Sequence, residues 1–296
     1  MKAGKLKIAS EEERKLFCER IYPLQDKILR AISEDYGSLI FLSGGTALSR
    51  FYLHHRLSED IDLFTKLPEK ISSIARRIAF LLEKNGLKVE LEYASPSFAR
   101  LWIENLKVEI ITEFNHLGRT IRVKEGFFID NLANIGVNKI TAFEDRAEMK
   151  DLIDLYFLSR KLRLERLLKL ADMKREPVPY GELLSINQFG IAGEALLTVN
   201  IDEKELASFI RKLKGIIENN VKKKADEIEV SAIVRKILWD FPEERRKLSR
   251  ETLPVIMRRL RSLPHKIAIE RKIRERGELK IWESSINSRS MEKARS

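Results

Sequence analysis

The sequence has few of the residues from which disulfides, metal clusters and membrane spans are built. It contains one cysteine, Cys18, so neither an internal disulfide nor a cysteine-rich metal site can form. Its four histidines do not have the spacing of zinc ligands. No window approaches about 18 consecutive apolar residues, which predicts no transmembrane helix. The charged first 15 residues also lack the apolar core of a secretory signal. We therefore expect a cytoplasmic protein without a membrane partner, in which Cys18 is a buried core residue.

Positive charge is abundant and unevenly distributed. The formal net charge is +11, and residues 241–296 contain 16 Lys and Arg against 8 Glu, a net charge of +8. Such a basic segment suits a nucleic-acid partner, because phosphate contacts and counterion release require Lys and Arg. A solvated helical surface rich in both signs explains it equally well. Composition alone leaves both interpretations open.

Hydrophobic periodicity divides the chain into a mixed half and a helical half. Ser10 and Glu13 form a capping-box signature that begins a helix reaching Ile32. Period-two or short apolar runs predict strands at Leu39–Leu42, Asp60–Phe64, Leu87–Tyr93, Phe98–Ile103 and Leu106–Thr112. Helical patterns are found at Thr46–His54, Pro68–Asn85, 130–140, 144–162, Leu164–Ala171, Tyr180–Gln188, Gly193–Leu197, Glu203–Asn219, Ala225–Trp239, Arg250–Leu263 and Lys266–Glu278. We expect an α/β domain over residues 1–165 and a basic, all-helical domain over residues 166–296.

The stretch 41–64 carries the most specific chemical pattern in the sequence. A buried strand ends at Gly44-Gly45, a helix follows, and a second strand carries Asp60 and Asp62 on the same side. Two adjacent carboxylates repel each other unless a cation lies between them, and oxygen ligands favour Mg²⁺ or Mn²⁺. The double glycine allows a phosphate to approach backbone amides, and Ser43 and Thr46 add hydroxyl donors. The alternative is an ordinary turn followed by the outward face of an edge strand.

Two blocks of sequence carry a resemblance to a known family. The first comprises Ser-Gly-Gly-Thr-Ala-Leu at 43–48 and His-Arg-Leu-Ser-Glu-Asp-Ile-Asp-Leu-Phe at 55–64. The second comprises Asn-Lys-Ile-Thr-Ala-Phe-Glu-Asp-Arg at 138–146 and Lys-Asp-Leu-Ile-Asp-Leu at 150–155. Over roughly residues 28–160, the chain resembles the nucleotidyltransferase toxins of the AbiEii/AbiGii family of type IV toxin–antitoxin systems. The resemblance implies a core with a mixed sheet, like that of the DNA polymerase β-like nucleotidyltransferase superfamily.

The resemblance also implies a reaction and assigns residues to it. Members move a nucleotide from an NTP to an acceptor hydroxyl, often at the 3′ end of tRNA, and are paired with a separate antitoxin. Asp60 and Asp62 would hold Mg²⁺, and Lys139 would pair with the charge of the triphosphate. The backbone turn at Gly44 and Gly45, together with Thr46, would cradle its phosphates. The alternative interpretation of Lys139 is a solvated helix residue without a role in binding.

Two further acidic positions have competing explanations. Glu109 lies on a strand of the kind that supplies a third metal ligand, but it is equally well explained as an exposed strand residue balanced by Lys107. Asp151 and Asp154 share one helix face. The resemblance favours a catalytic Asp154 and a nucleotide-binding Asp151, with base or ribose recognition or a bond to Lys139 satisfying Asp154. A salt bridge to Arg146 or Lys150 is the alternative for Asp154.

The loop before the second strand and the identity of the acceptor leave further alternatives. Arg56 contacts a nucleotide phosphate or pairs with Asp60, and Ser58 caps the turn. Arg146 holds its helix to the next one.

The acceptor is RNA or, as the second enzymatic possibility, a protein hydroxyl. A catalytically inactive member would bind nucleotide or nucleic acid without transfer, and a pure interaction module would use the basic C-terminus alone.

Overall fold

The computed structural model describes residues 5–67, 70–174, 178, 180–186, 191 and 193–240, with the helical backbone alone over 222–240. The helices are α1 (Glu11–Leu16), α2 (Tyr22–Tyr36), α3 (Gly44–Ala47), α4 (Ile71–Lys84), α5 (Leu132–Arg146), α6 (Met149–Leu158), α7 (Leu164–Lys174), α8 (Gly181–Ser185) and α9 (Glu203–Asp240). The strands are β1 (Lys5–Ile8), β2 (Ile40–Leu42), β3 (Ile61–Thr65), β4 (Val89–Ala94), β5 (Phe98–Ile103), β6 (Leu106–Thr112), β7 (Ile121–Arg122), β8 (Phe128–Ile129) and β9 (Glu194–Leu197). Wider π-helical turns follow α1, at Phe17–Ile21, and α3, at Leu48–Leu53.

The larger sheet is mixed, as predicted. Its strand order is β4-β5-β6-β3-β2-β8-β7. The central strand β3 runs antiparallel to β2 and parallel to β6. Ile61, Leu63 and Thr65 of β3 are buried, whereas Asp62 and Phe64 face the other side and are half-buried. The period-two pattern thus places the apolar side chains in the core and Asp62 on the opposite face of the sheet.

Helices cover the apolar face because their own apolar stripes match it. In α4 the buried residues are Ile71, Ile74, Ala75, Ile78 and Leu82, which recur at helical spacing, and this helix packs on β4 and β5. The tight hairpin between β5 and β6 turns at Glu104 and Asn105, both with positive φ, which is the geometry of a two-residue turn. The capping box of Ser10 and Glu13 is also present, as predicted.

Several local predictions were wrong. Residues 194–197 form strand β9, which pairs in parallel with β1, rather than the predicted helix. Their apolar pair Leu196-Leu197 fits either structure locally, and pairing with a strand about 190 residues away decided the outcome. The helix predicted over 130–140 begins later, as α5 at Leu132, and is capped by Asn131. Cys18 is exposed, because it lies on a π-helical turn outside the core.

The chain divides into two compact units, Met1–Ile217 and Glu218–Ser296. This division falls after the predicted boundary at residue 165, because α7 packs on α5 and β9 pairs with β1 inside the first unit. The predictions for residues 241–296, including two helices, lie outside the described residues. Among the described helices, none combines the length and the apolar character that a bilayer span requires.

Candidate active site

A polar cleft of about 310 Å³ lies beside the N-terminal end of β3. Asp60, which immediately precedes β3, and Asp62 within it both line this cleft, as does Glu109 at the register position paired with Asp62. Cationic side chains from elsewhere in the first unit line the same space: Arg56, Lys107, Lys139, Arg146 and Lys150. We call this space the polar cleft. The polar cleft is therefore an open space whose wall contains both carboxylates and cationic side chains.

The double glycine fits against the site because neither residue has a side chain. Gly44 has a φ of +64°, and a Cβ built on it would lie 1.9 Å from Oδ2 of Asp62. A Cβ on Gly45 would lie 2.2 Å from Nη2 of Arg56. The backbone amide of Ser43 also donates to the carbonyl of Asp62 at 2.8 Å. The turn and the carboxylate strand therefore form one close-packed unit in which only glycine fits at both positions.

The hydroxyl groups of the turn are engaged within the protein. Ser43 Oγ donates to Asp130 Oδ2 at 2.8 Å, and both side chains are fully buried. Thr46 Oγ1 contacts Ser58 Oγ at 3.0 Å and the carbonyl oxygen of Asp60. Neither hydroxyl faces the cleft as a free phosphate donor, contrary to expectation. Ser43 and Thr46 instead hold the turn to β3 and to the start of α5.

Glu109 already has cationic partners. Arg100 lies 2.8 Å from its Oε1, and Lys107 Nζ lies 3.8 Å from the same oxygen. Lys107 also contacts Asp60 Oδ2 at 2.9 Å, so it bridges two acidic residues at the cleft. Balance of Glu109 by Lys107, one of the two explanations from the sequence, is present, and Arg100 adds a stronger contact. Across the described part of the chain, no group of three or more His, Cys, Asp or Glu side chains has an arrangement that could hold a metal ion.

Asp62 is the least compensated of these carboxylates. Burial raises its pKa, the charges of Asp60 and Glu109 raise it further, and Lys139 and Lys107 oppose them only in part. The net shift is upward, so the folded protein disfavours a second negative charge at this point. A cation bound between Asp60 and Asp62 would relieve that repulsion.

Behind the polar cleft lies a second acidic group with the opposite electrostatic balance. Asp154 is fully buried and accepts hydrogen bonds from Arg56 Nε at 2.7 Å and Arg56 Nη2 at 3.0 Å. His55 Nε2 lies 2.8 Å from Oδ1, and Lys139 Nζ lies 2.6 Å from Oδ2. Burial raises the pKa of Asp154, but Arg56, Lys139 and His55 together hold it well below its ordinary value.

Lys139 connects the two regions. Its Nζ contacts both Asp154 and Asp151, the latter at 2.9 Å, and its side chain still lines the polar cleft. Burial lowers the pKa of Lys139, but Asp154 and Asp151 raise it by more, so the ammonium remains charged. Asp151 is also held by Arg146, whose Nε donates to Oδ2 at 2.7 Å. Arg146 thus joins the end of α5 to the start of α6, as predicted.

These contacts decide three of the open alternatives. Arg56 pairs with Asp154, so its predicted pairing with Asp60 is wrong. Asp154 pairs with Lys139, as one of the explanations predicted. The two alternative partners pair with other residues: Arg146 contacts Asp151, and Lys150 contacts Glu148 at 3.1 Å. Lys139 is buried between carboxylates and is not a solvated helix residue.

Two histidines, one buried and one half-buried, were missed by sequence reasoning. His55 is fully buried against Asp154, with its Nδ1 lacking a hydrogen-bond partner. His116 Nε2 lies 2.9 Å from Asp130 Oδ1, and Asp130 also accepts from Asn134 at 2.7 Å. The only local signal for His55 was its position immediately before Arg56. Nothing local distinguishes His116, because its partner comes from another element.

Comparison with known proteins gives consistent matches. A sequence model of the family described as "Nucleotidyl transferase AbiEii toxin, Type IV TA system" matches residues 27–238. An uncharacterized protein of Aquifex aeolicus is 30% identical, over 70% of this chain and 100% of that protein. Among solved structures, JHP933 from Helicobacter pylori is 20% identical, covers 71% of this chain and 97% of its own, and has a TM-score of 0.43. MenT4, a nucleotidyltransferase toxin from Mycobacterium tuberculosis, is 14% identical, with coverages of 67% and 82% and a TM-score of 0.44.

Proposed function

The chain belongs to the AbiEii family of nucleotidyl transferase toxins of type IV toxin–antitoxin systems, and we propose that it transfers a nucleotide from an NTP to RNA in the polar cleft. The observation that carries the proposal is the opposition of charges across that cleft. Asp60 and Asp62 lie on the β3 side, while Lys139, Arg146 and Lys150 are cations of the same cleft. A triphosphate with a divalent cation is a ligand that needs both kinds of group together.

The residues present fit a magnesium ion at one position. Asp60 and Asp62 offer oxygen ligands, and a divalent cation would offset the burial and the acidic neighbours that raise the pKa of Asp62. Glu109 would become a third ligand only by exchanging its contact with Arg100. When bound, Mg²⁺ would neutralise charge on the triphosphate and make the acceptor hydroxyl more acidic. We therefore propose Asp60 and Asp62 as the primary ligands.

In the proposed transfer, one phosphorus–oxygen bond replaces another. The acceptor oxygen bonds to the α-phosphorus, the bond from that phosphorus to pyrophosphate breaks, and the hydroxyl proton passes to solvent. Lys139 would attract the negative charge of the triphosphate, because its side chain lines the cleft and its ammonium remains charged. The Gly44-Gly45 turn would let phosphate oxygens approach the backbone closely.

Asp154 and Asp151 have a different part in this proposal from the cleft carboxylates. Asp154 is fully buried, does not line the cleft and accepts hydrogen bonds from Arg56, His55 and Lys139. Its pKa, held well below the ordinary value, makes it a poor proton acceptor. We propose that Asp154 and Asp151 are positioning residues that fix the ammonium of Lys139, and that Arg56, bound to Asp154, supports the turn rather than a phosphate.

The family and the basic composition of the chain support a proposal for the acceptor and the setting. We propose the 3′ end of tRNA as acceptor, the cytoplasm as compartment and a separately encoded antitoxin as protein partner. The net charge of +8 over residues 241–296 supports an RNA acceptor, because an RNA strand is a polyanion.

The direct test is a transfer assay with purified protein, Mg²⁺, total cellular RNA and each α-³²P-labelled NTP in turn. An Asp62→Asn variant serves as the inactive control and Glu90→Gln, an exposed residue of the same sheet, as the matched control. We expect a labelled band of tRNA size that is lost in Asp62→Asn, retained in Glu90→Gln and abolished by EDTA. Calorimetry with Mg²⁺ or Mn²⁺ alone tests the metal site independently of activity.

The other outcomes of this assay each contradict one part of the proposal. Label on protein instead of RNA would identify a protein-directed transferase. Absence of any labelled product, together with absence of NTP binding by calorimetry, would identify an inactive member. Transfer that persists in EDTA would overturn the metal dependence.

A further inference from the structure

A second and larger cleft, of about 680 Å³, opens next to the polar cleft. It lies between the N-terminal helical segment, the π-helical turn after α3, and β7 and β8. Arg56 and Leu57 line both clefts, so the two clefts are direct neighbours. We call this second space the aromatic cleft, because Tyr22, Phe51 and Tyr52 are part of its wall.

Arg50 holds the aromatic wall of this cleft together, with 9% of its side chain exposed. Its guanidinium carbon lies 4.4 Å from the ring centroid of Tyr22 and 5.0 Å from that of Phe51. Asp26 and Gln25 fix the same group, at 2.8 Å and 3.0 Å. Tyr22, Phe51 and Tyr52 are half-buried, and aromatic rings are surfaces on which unpaired bases stack in complexes with single-stranded RNA.

The charge of the cleft wall suits a polyanion. Arg14 also lines the cleft, where its guanidinium donates to the carbonyls of Ala9 and Thr198, contacts that leave its charge unneutralised. Lys124 has 91% of its side chain exposed, and its Nζ lies 4.0 Å from Oε1 of Glu125. Among the described residues that line this cleft, Glu125 is the single acidic one. Cationic and aromatic groups therefore outnumber acidic ones here, in contrast to the carboxylate side of the polar cleft.

We propose that the aromatic cleft binds the terminal nucleotides of the acceptor RNA strand and delivers its hydroxyl to the polar cleft. This inference rests on the proposed function, because it assigns the second substrate of that reaction to a site. The occupant is single-stranded RNA; the base of the NTP is the other nucleotide source that the test must distinguish.

Cys18 supplies a probe that needs no substitution. It is the single cysteine of the chain, it is exposed, and it lines the aromatic cleft. A short single-stranded RNA with a free 3′-hydroxyl, at a concentration that saturates binding by fluorescence anisotropy, is expected to slow alkylation of Cys18 by a maleimide at least about fivefold. NTP with Mg²⁺ alone is expected to leave the rate unchanged. Cys18→Ser, which cannot react, gives the background.

Two results of the protection assay would overturn the inference. An unchanged alkylation rate with RNA would show that no RNA occupies this cleft, whether or not it binds elsewhere. Protection by NTP with Mg²⁺ equal to that by RNA would assign the cleft to the base of the NTP. The transfer assay separates these failures from a failure of the proposed function, because labelled RNA can form whichever surface holds the strand.

A pair of exposed substitutions tests the same surface through kinetics. Ile121→Glu combined with Lys124→Glu adds negative charge to the wall at positions that are 45% and 91% exposed, so the fold should tolerate both. We expect the KM for RNA to rise about tenfold, while kcat and the KM for NTP stay unchanged. The matched control makes the same charge change at Phe80 and Lys88, exposed residues outside both clefts. An equal rise in the control, or an unchanged KM for RNA in the cleft variant, would contradict the assignment.

Discussion

Two acidic groups lie on either side of Lys139, and their electrostatic balance is opposite. At the polar cleft, Asp60, Asp62 and Glu109 cluster so that the pKa of Asp62 is raised by burial and by its two acidic neighbours. Behind Lys139, Asp154 is fully buried and has three cationic or hydrogen-bonding partners, so its pKa is held well below the ordinary value. The charge of Asp62 is therefore compensated only in part by its surroundings, whereas that of Asp154 is compensated fully by its protein partners.

The difference indicates what each group is suited to do. A carboxylate that is underpaired within the protein gains most from an external cation, so the cleft group fits ligand binding. A carboxylate whose hydrogen-bonding capacity is already used by protein donors has little left for a substrate, so the buried group fits positioning. Lys139 belongs to both groups, because it is held from behind and lines the cleft in front.

Removal of the Asp62 charge should show the largest effect on activity and almost none on stability. Asp62→Asn keeps the shape that packs against Gly44 and removes one of the repelling charges. We expect transfer to fall at least about 1,000-fold, equal to about 4 kcal/mol of transition-state stabilisation. The midpoint of urea unfolding should stay the same or rise. Initial rates and urea titrations measure the two effects, and a loss of more than about 1 kcal/mol of stability would contradict the comparison.

Removal of the Asp154 charge should do the reverse, with stability as the main loss. Asp154→Asn leaves buried Arg56 without its paired carboxylate and leaves Lys139 with Asp151 alone. Breaking a buried pair in this way costs about 3–5 kcal/mol. Glu165→Gln, which removes an exposed carboxylate from α7, is the control and should stay within about 0.5 kcal/mol of the parent. Equal unfolding free energies for the two variants would show that the buried group is not the stabilising one.

A glycine pair tests how the turn serves the cleft group. Gly44→Ala puts a Cβ 1.9 Å from Oδ2 of Asp62, whereas Gly86, also at positive φ, has nothing within 4 Å. Both substitutions cost about 1–2 kcal/mol of backbone strain, but only the first displaces the carboxylate. We expect transfer to fall about 100-fold, or about 2.7 kcal/mol, in Gly44→Ala alone. Similar activities for the two variants would separate the turn from the site.

The sequence predicted the cleft group better than the buried one, and the reason is physical. Asp60 and Asp62 are two residues apart at the start of one strand, so period-two geometry predicts that both project to the same side, and both line the cleft. The bounds of β5 and β6 were likewise predicted, because alternation and the Glu104-Asn105 turn are local signals. The contacts of Asp154 with His55 and Arg56 join residues 98 and 99 positions apart, and no local pattern predicts them.

The same distinction explains the errors. Strands β1 and β9 are each four residues long, and their pairing across the chain is what makes them strands. The hydroxyls of Ser43 and Thr46 were expected to face a phosphate, because the sequence shows donors but not their partners. Asp130, from 87 residues away, accepts the hydrogen bond of Ser43. The assignment of roles within the site remains a prediction until the variants above are measured.

The smallest expected effect concerns the pH dependence of the buried group, and it isolates His55. Burial lowers the pKa of His55 below its ordinary value of about 6.5, outweighing the opposing effect of Asp154. The unfolded chain therefore binds a proton on this residue at a higher pH than the folded chain does. The stabilising contribution is present above about pH 6.5 and is lost as the pH falls toward the folded value, with a slope of at most about 1.4 kcal/mol per pH unit. Asp154 contributes to the pH dependence of stability only below its own ordinary pKa of about 3.9, because its pKa in the folded protein is lower still.

His55→Gln should therefore flatten the dependence of unfolding free energy on pH below about pH 6.5, because glutamine keeps a donor for Asp154 but does not titrate. The neighbouring His54 is exposed, so His54→Gln should retain the parent slope and serves as the matched control. Urea titrations at half-unit steps of pH measure the slopes. If both variants keep the parent slope, the proton is taken up elsewhere, and the buried group is held together by Arg56 and Lys139 without a contribution from the neutral imidazole.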